Sequence, residues 1–527
     1  MKLRSTVLSA LVALLTAAAP AQANTLQLAF QGDLNALDPY ALNEAFTLGV
    51  MGNVYEALTA RDNDMKIVPG LAERWEVVDP LKWRFHLRRG VKFHNGEAFT
   101  ADDVVFSLDR MRTPGSQIKT RAPADMKAIK VDDHTVDFVT TQPNPILHAE
   151  WNTWYIFSKS WAEANGATKA QSASATSLDP SALKSNGTGP FIIQSHEPGI
   201  KTVFKPNPNY WGKTQHNLDE VILNTIKQGA TRVAALLSGG VDVIDPVPLQ
   251  DQERVNASGR AKVVAGPELR AIFLNMDIMR DELLYSSVKG RNPFKDVRVR
   301  KAFYQAIDIE TIKTKVMRGN SVPSALPIAA SLFSRTAEFK RWPYDVDAAK
   351  ALMAQAGFAE GFDLTMDCPN DRYVNDEAIC QAVAAMLAKI GVKITLQATP
   401  KAKYFEKVSA PNFDTSFSML GWTAGGLDSL NVLVNVIGCR DAKGTGGSFN
   451  IGGYCNPKIT ELTGKIRSET DLSKRDDNIA EAYRIAHEEV ALLPLHQQSL
   501  SWGLATNVNL PQRADGFFLF KFATKGK

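Results

Sequence analysis

Apolar and polar positions alternate from Thr25 to Phe30 (TLQLAF), which predicts a strand. After the turn Leu37 to Tyr40 (LDPY) the period changes, and Leu48 to Leu58 has helical spacing. From Trp83 to Phe99 (WRFHLRRGVKFHNGEAF), the apolar Trp83, Phe85 and Leu87 alternate with Arg84, His86 and Arg88. With Asn95-Gly96 as a turn signal, this stretch predicts a hairpin. Thr100 with Asp103 three residues later then caps a helix led by Val104, Val105 and Phe106.

The second half of the chain is patterned differently. Arg232 to Ile244 (RVAALLSGGVDVI) predicts a helix, a glycine stop and a short buried strand. Asn292 to Asp308 and Asp345 to Phe358 predict helices, the latter closed at Gly357. FDLTMDC reads as a strand, NDEAICQAVAAMLAKIGV as a helix and KITLQAT as a strand, an order that points to a parallel α/β layer. Ser, Ala and Lys dominate Ala170 to Ser185, which predicts an exposed loop; Gly187 to Phe191 and Asn207 to Gly212 predict turns. A helix is expected after the Gly-rich stretch that follows Trp422, opening at Asp428.

The N-terminal residues change this picture. Lys2 and Arg4 precede an apolar run from Val7 to Ala19, and Ala21-Gln22-Ala23 has the small-residue form of a cleavage site. Residues 1–23 therefore read as a secretory signal peptide, and no cysteine stands there to carry a lipid. A soluble periplasmic protein is expected. In an oxidising compartment, the even count of 4 cysteines suggests disulfides. Of the three possible connectivities, the local pairs Cys368–Cys380 and Cys439–Cys455 are expected. The charge is only +4 over 527 residues, with no basic run, which argues against nucleic acid as a partner.

Catalytic patterns are missing. The chain has no G-x-S-x-G elbow, no phosphate-binding G-x-x-x-x-G-K-[ST] and no dinucleotide fingerprint. His487 and Glu488 lie together, but no second histidine follows at the metalloprotease spacing, and Asp102-Asp103 suit a helix start better than acid–base work. No cofactor, metal or enzymatic activity is expected. An exported multidomain α/β chain without catalytic motifs fits a carrier that closes on its ligand between domains.

Several longer stretches carry a resemblance. LAERWEV, WRFHLRRGVKFHNGEAFTADDVVFSLDRM, NGTGPF, NPNYWG, LSGGVDV, NPFKDVRVRKAFYQAID and GSFNIGGYCNP occur in the order found in family 5 extracellular solute-binding proteins of ABC transporters, the dipeptide/oligopeptide-binding type. The chain resembles that family over essentially its whole mature length. The resemblance implies a two-lobed α/β fold with a hinge. Residues 24–270 and 496–527 would form lobe I, with an extra subdomain at about 57–184, and 271–495 would form lobe II. It also implies a monomer that delivers a peptide or small-molecule ligand to ABC permease subunits in the inner membrane.

The same resemblance singles out residues. Trp422 and Thr423 match a pocket-wall pattern, but Gly425 stands where peptide-binding relatives have an aspartate for the peptide ammonium. Arg372 stands where dipeptide-binding relatives hold the C-terminal carboxylate; the alternative is an ion pair with Asp371, Asp376 or Glu377. Asp428, Glu44 and Asn43 are candidates for the missing polar partner, although Asp428 also suits a helix cap. A non-peptide cargo remains open: a carboxylated or aromatic compound, an opine, a sugar or a metal chelate. A secreted hydrolase and a periplasmic chaperone are the other classes.

Overall fold

The computed structural model describes residues 23–34, 36–121, 125–171, 183–441 and 446–526. The expected signal peptide lies outside the described residues up to position 22, as does most of the expected loop at 170–185.

Among the described residues, one sheet of eleven strands organises the chain. Its strands are β1 (Thr25–Phe30), β2 (Phe191–Glu197), β3 (Lys201–Pro206), β4 (Glu220–Thr225), β5 (Val243–Asp245), β6 (Ala261–Met276), β7 (Ser321–Pro323), β8 (Phe362–Pro369), β9 (Val392–Thr399), β10 (Phe417–Thr423) and β11 (Leu493–Ala505). The order is β9-β8-β10-β6-β11-β5-β1-β4-β3-β2, with β7 on β11. The long strands β6 and β11 thus join two halves. Ala261–Pro267 of β6 pairs with the last part of β11, next to β5, while Arg270–Met276 pairs with β10. The register of β6 on β11 shifts between Pro267 and Ala271, so Glu268, Leu269 and Arg270 drop out of that ladder. Irregularities of this kind re-aim side chains at functional sites.

Parallel pairing occurs in both halves. On one side β1 pairs with β4 and β5; on the other, β8 pairs with β9 across the helix Asp376–Leu387, as the strand–helix–strand pattern predicts. The strand and helix expected at Arg232 to Ile244 form as Gly229–Ser238 and β5, with Gly239 at φ 80° stopping the helix.

Two local expectations are corrected. The helix expected at Leu48 to Leu58 runs instead from Ala45 to Met51. Glu44 caps it early, and the buried Asn53 amide donates to Val50 O at 3.1 Å and Phe518 O at 2.8 Å, drawing the chain toward the C-terminal segment. The strand at Lys82–Leu87 is not half of a hairpin with the residues after Asn95. It lies centrally in a separate sheet, between Ala72–Asp79 and Thr135–Val139. Asn95-Gly96 does turn, with Gly96 at φ 90°, but it closes a small loop held by Phe93 N–H to Glu97 O at 2.8 Å.

The cores follow the two halves. One buried cluster gathers Trp151, Trp154, Phe85 and Phe138 with Leu26, Trp502 and Phe520. Two others draw only on residues between Leu249 and Leu495. Each large apolar side chain so buried contributes roughly 1.5–3 kcal/mol. No helix among the described residues is long and apolar enough to cross a membrane.

Candidate functional site

Strand β8 ends at Pro369, and its parallel pairing makes the loop beyond it a favoured place for ligand contacts. That loop is braced on several sides. A disulfide joins Cys368 to Cys380, as expected, and so ties the strand end to the following helix. The Asp376 carboxylate accepts from the backbone N–H groups of Arg372 at 2.9 Å and Tyr373 at 3.0 Å. Val374 N–H donates to Gln498 Oε1 on β11 at 3.1 Å, and the Asn375 amide donates to Val316 O at 2.8 Å.

The backbone is fixed, yet the Arg372 guanidinium has no ion-pair or hydrogen-bond partner among the described residues. The neighbouring carboxylates are otherwise engaged. Asp371 accepts from Lys401 N–H at 2.6 Å, Asp376 holds the loop, and Glu377 accepts from Gln381 at 3.2 Å. Arg372 is half-buried over the Tyr373 ring at 5.2 Å. Burial, and then the Arg270 guanidinium, lower its pKa from the ordinary arginine value. Two guanidiniums sharing a partly dry space favour an incoming anion.

The long strands β6 and β11 supply the rest of this region. Arg270 Nη2 pairs with Glu268 Oε1 at 3.1 Å, and Gln498 Nε2 donates to the other Glu268 oxygen at 2.5 Å. Gln497 Nε2 donates to Glu268 O at 2.7 Å. Thr423 lies opposite Arg270 in the β6–β10 register, so the two share a face. Its Oγ1 is buried without a hydrogen-bond partner.

The Gly-rich turn after β10 is arranged differently. Trp422 Nε1 donates to Asn431 Oδ1 at 2.9 Å, and the indole packs on Phe449 with centroids 4.6 Å apart. A Cβ at Gly425 would stand 2.9 Å from Asn431 Nδ2, so the amide occupies the space a larger residue would take. Gly426, at φ 65°, abuts Glu150 of the first half, where a Cβ would lie 3.2 Å from Glu150 Cγ. Arg61 Nη2 donates to Gly426 O at 3.2 Å. The turn therefore touches the opposite half of the molecule.

Asp428 caps the helix Ser429–Val432, accepting from Leu430 N–H at 2.8 Å, and also binds Arg475 through both oxygens at 2.8 and 2.9 Å. Both of its oxygens are engaged within the protein. Glu44 is exposed and caps its own helix through Thr47 N–H at 2.9 Å, although its charge acts on Arg372. Asn43 Oδ1 accepts from Arg121 at 2.6 Å. Cys439 and Cys455 form the second expected disulfide.

The structure thus sets Thr423 opposite Arg270, whose charge, like that of Glu44, acts on Arg372, and places Trp422, Gly425 and Asp428 in a contact network of their own. Sequence reasoning missed Glu268 and Arg270. Their signal was a charged pair flanking Leu269, between the apolar stretches VVAGP and AIFL of one strand.

Residues 66–444 match the family described as bacterial extracellular solute-binding proteins, family 5. The chain belongs to that family. Among curated proteins it is similar to the dipeptide-binding protein of Escherichia coli K12, at 27% identity over 91% of this chain and 90% of that one. Among solved structures it is similar to the periplasmic binding protein DppA from Helicobacter pylori in complex with the peptide STSA (TM-score 0.77, 23% identity, 95% and 98% coverage). It is also similar to NikZ from Campylobacter jejuni in complex with Ni(L-His) (TM-score 0.79, 20% identity, 95% and 99% coverage). These structural likenesses show the two-lobed binding-protein fold. The family's activity is solute binding.

Proposed function

We propose that this family 5 protein captures a peptide or peptide-like solute between its lobes in the periplasm and hands it to the permease subunits of an ABC importer. Residues 24–270 and 496–527 form one lobe, with the extra subdomain at about 57–184, and residues 271–495 form the other. The protein carries out no catalysis. Arg372 anchors the ligand carboxylate, with Thr423 beside it and Trp422 as a wall.

The observation that carries this reading is the unpartnered Arg372 guanidinium on a backbone braced by Cys368–Cys380, Asp376 and Gln498. A half-buried cation without a counter-ion is costly, and a ligand carboxylate removes that cost bidentately. The peptide-binding relatives and the STSA complex support the choice of cargo class.

A second reading, a non-peptide carboxylate, draws on Gly425, where Asn431 already fills the space that an ammonium-binding aspartate would need. The deciding experiment is calorimetric titration of refolded, ligand-free protein with dipeptides and with their C-terminal amides. The free acids are expected to bind, and the amides to bind at least tenfold more weakly. Equal binding of acids and amides contradicts the Arg372 role. Turnover of either contradicts the carrier role.

A further inference from the structure

Asp245 is the last residue of β5, beside Phe30, the last residue of β1, in parallel register. It therefore stands at the C-terminal edge of a parallel strand pair, as the Arg372 loop does in the other half. Ligands in open α/β sheets bind outside such edges.

The Asp245 side chain is half-buried and has no ion-pair or hydrogen-bond partner among the described residues. Arg232, whose charge reaches it, makes no hydrogen bond to it, and the buried Arg232 Nε has no hydrogen-bond partner among the described residues. Its Nη1 donates to Ile226 O at 2.8 Å and Lys227 O at 2.9 Å, and its Nη2 to Pro246 O at 3.2 Å. The acidic neighbour in range is Glu268, already matched by Arg270 and Gln498. The charge of Glu268 acts on both Asp245 and Arg372. The Asp245 carboxylate and the Arg372 guanidinium are thus both left without a hydrogen-bond or ion-pair partner among the described residues. Beside Asp245, Phe30 stacks on Phe46 with centroids 3.9 Å apart, adding an aromatic surface suited to a cation.

We propose that Asp245 binds the ammonium group of the ligand, in place of a carboxylate at position 425, and makes the cleft selective for zwitterionic solutes. This rests on the carrier reading above and deepens it. Arg372 takes the carboxylate end and Asp245 the amine end, so the ligand completes two charge pairs that the unliganded protein leaves open. A peptide cargo then needs no acid in the Gly-rich turn.

The test uses an equimolar mixture of alanyl, leucyl and phenylalanyl dipeptides and the same mixture N-acetylated. Both are titrated into wild-type protein, Asp245→Asn and Asp245→Glu, with unliganded melting temperatures recorded for each. Wild type is expected to bind the free amines at least tenfold more tightly than the acetylated set. Asp245→Asn is expected to lose about a hundredfold on the free amines and little on the acetylated set, removing the preference. Asp245→Glu, which keeps the charge, should retain the preference, and it decides the question if the asparagine variant does not fold. Wild-type affinity in Asp245→Asn, equal binding of both mixtures by wild type, or loss of the preference in a folded Asp245→Glu overturns the proposal. Binding of neither mixture by wild type overturns the peptide reading itself, and this proposal falls with it.

Discussion

The loop carrying Arg372 and the turn carrying Gly425 face the same question in opposite ways. In the first, the backbone is held by a disulfide, a carboxylate and two side-chain amides, and the functional group at the tip is left unmatched. In the second, the side chains are matched to one another. Trp422 is bonded to Asn431, and Asp428 to both Leu430 N–H and Arg475. A braced backbone presenting a free charge is what binding requires, because the ordering cost is met before the ligand arrives. A turn whose charges are closed internally maintains shape and the contact between lobes.

The largest expected effect separates these roles through stability. Asp428→Ala leaves the Arg475 guanidinium, which is 5% exposed, without its carboxylate. Denaturant unfolding should show a loss of about 3 kcal/mol, with ligand affinity nearly unchanged in the folded protein. A stable Asp428→Ala variant that binds weakly would reverse the comparison.

Arg372→Ala should do the opposite. Affinity for a carboxylate ligand is expected to fall by about a hundredfold, while unliganded stability holds or rises, since a half-buried cation is removed. Calorimetry and thermal unfolding on the same sample check both halves of that statement.

A smaller effect is expected from Gly425→Asp. The new Cβ forces Asn431 away from Trp422, costing about 1 kcal/mol for the lost hydrogen bond. The N-acetyl discrimination should not increase. A marked increase would mean that the turn, and not Asp245, faces the amine.

The smallest expected effect is a slope with pH. Burial, then the Glu268 charge, push the Asp245 carboxyl up to about 7, and burial does the same for Glu150. In the unfolded chain such groups titrate near pH 4. Between these values the folded state holds protons that the unfolded chain has released. Their contribution to stability is therefore fully present below about pH 4 and is lost as pH rises through about 7. Asp245→Asn should flatten part of that decline, so its unliganded melting temperature should exceed wild type at pH 8 and not at pH 5.

Much of the fold was legible because periodicity reports local burial. β8, its helix and β9 stand where FDLTMDC, NDEAIC and KITLQAT place them. The alternation of Trp83, Phe85 and Leu87 identified a half-buried strand but not its partners, which are set by tertiary packing with Ala72–Asp79 and Thr135–Val139. The site was less legible for the same reason. Three acids near Arg372 in sequence made an ion pair plausible, and only the folded geometry reveals that each is engaged elsewhere. Asp245 drew no attention as the end of a short strand. Its lack of a partner depends on where Arg232 and Glu268 point.

The most direct measurement is native mass spectrometry of the protein purified without refolding, followed by release and identification of any bound small molecule. A released compound with both a free carboxylate and a free amine is the expected result, since it would close the open charges at Arg372 and Asp245. A tightly held compound with neither group would contradict the assignment of this cleft to a zwitterionic solute.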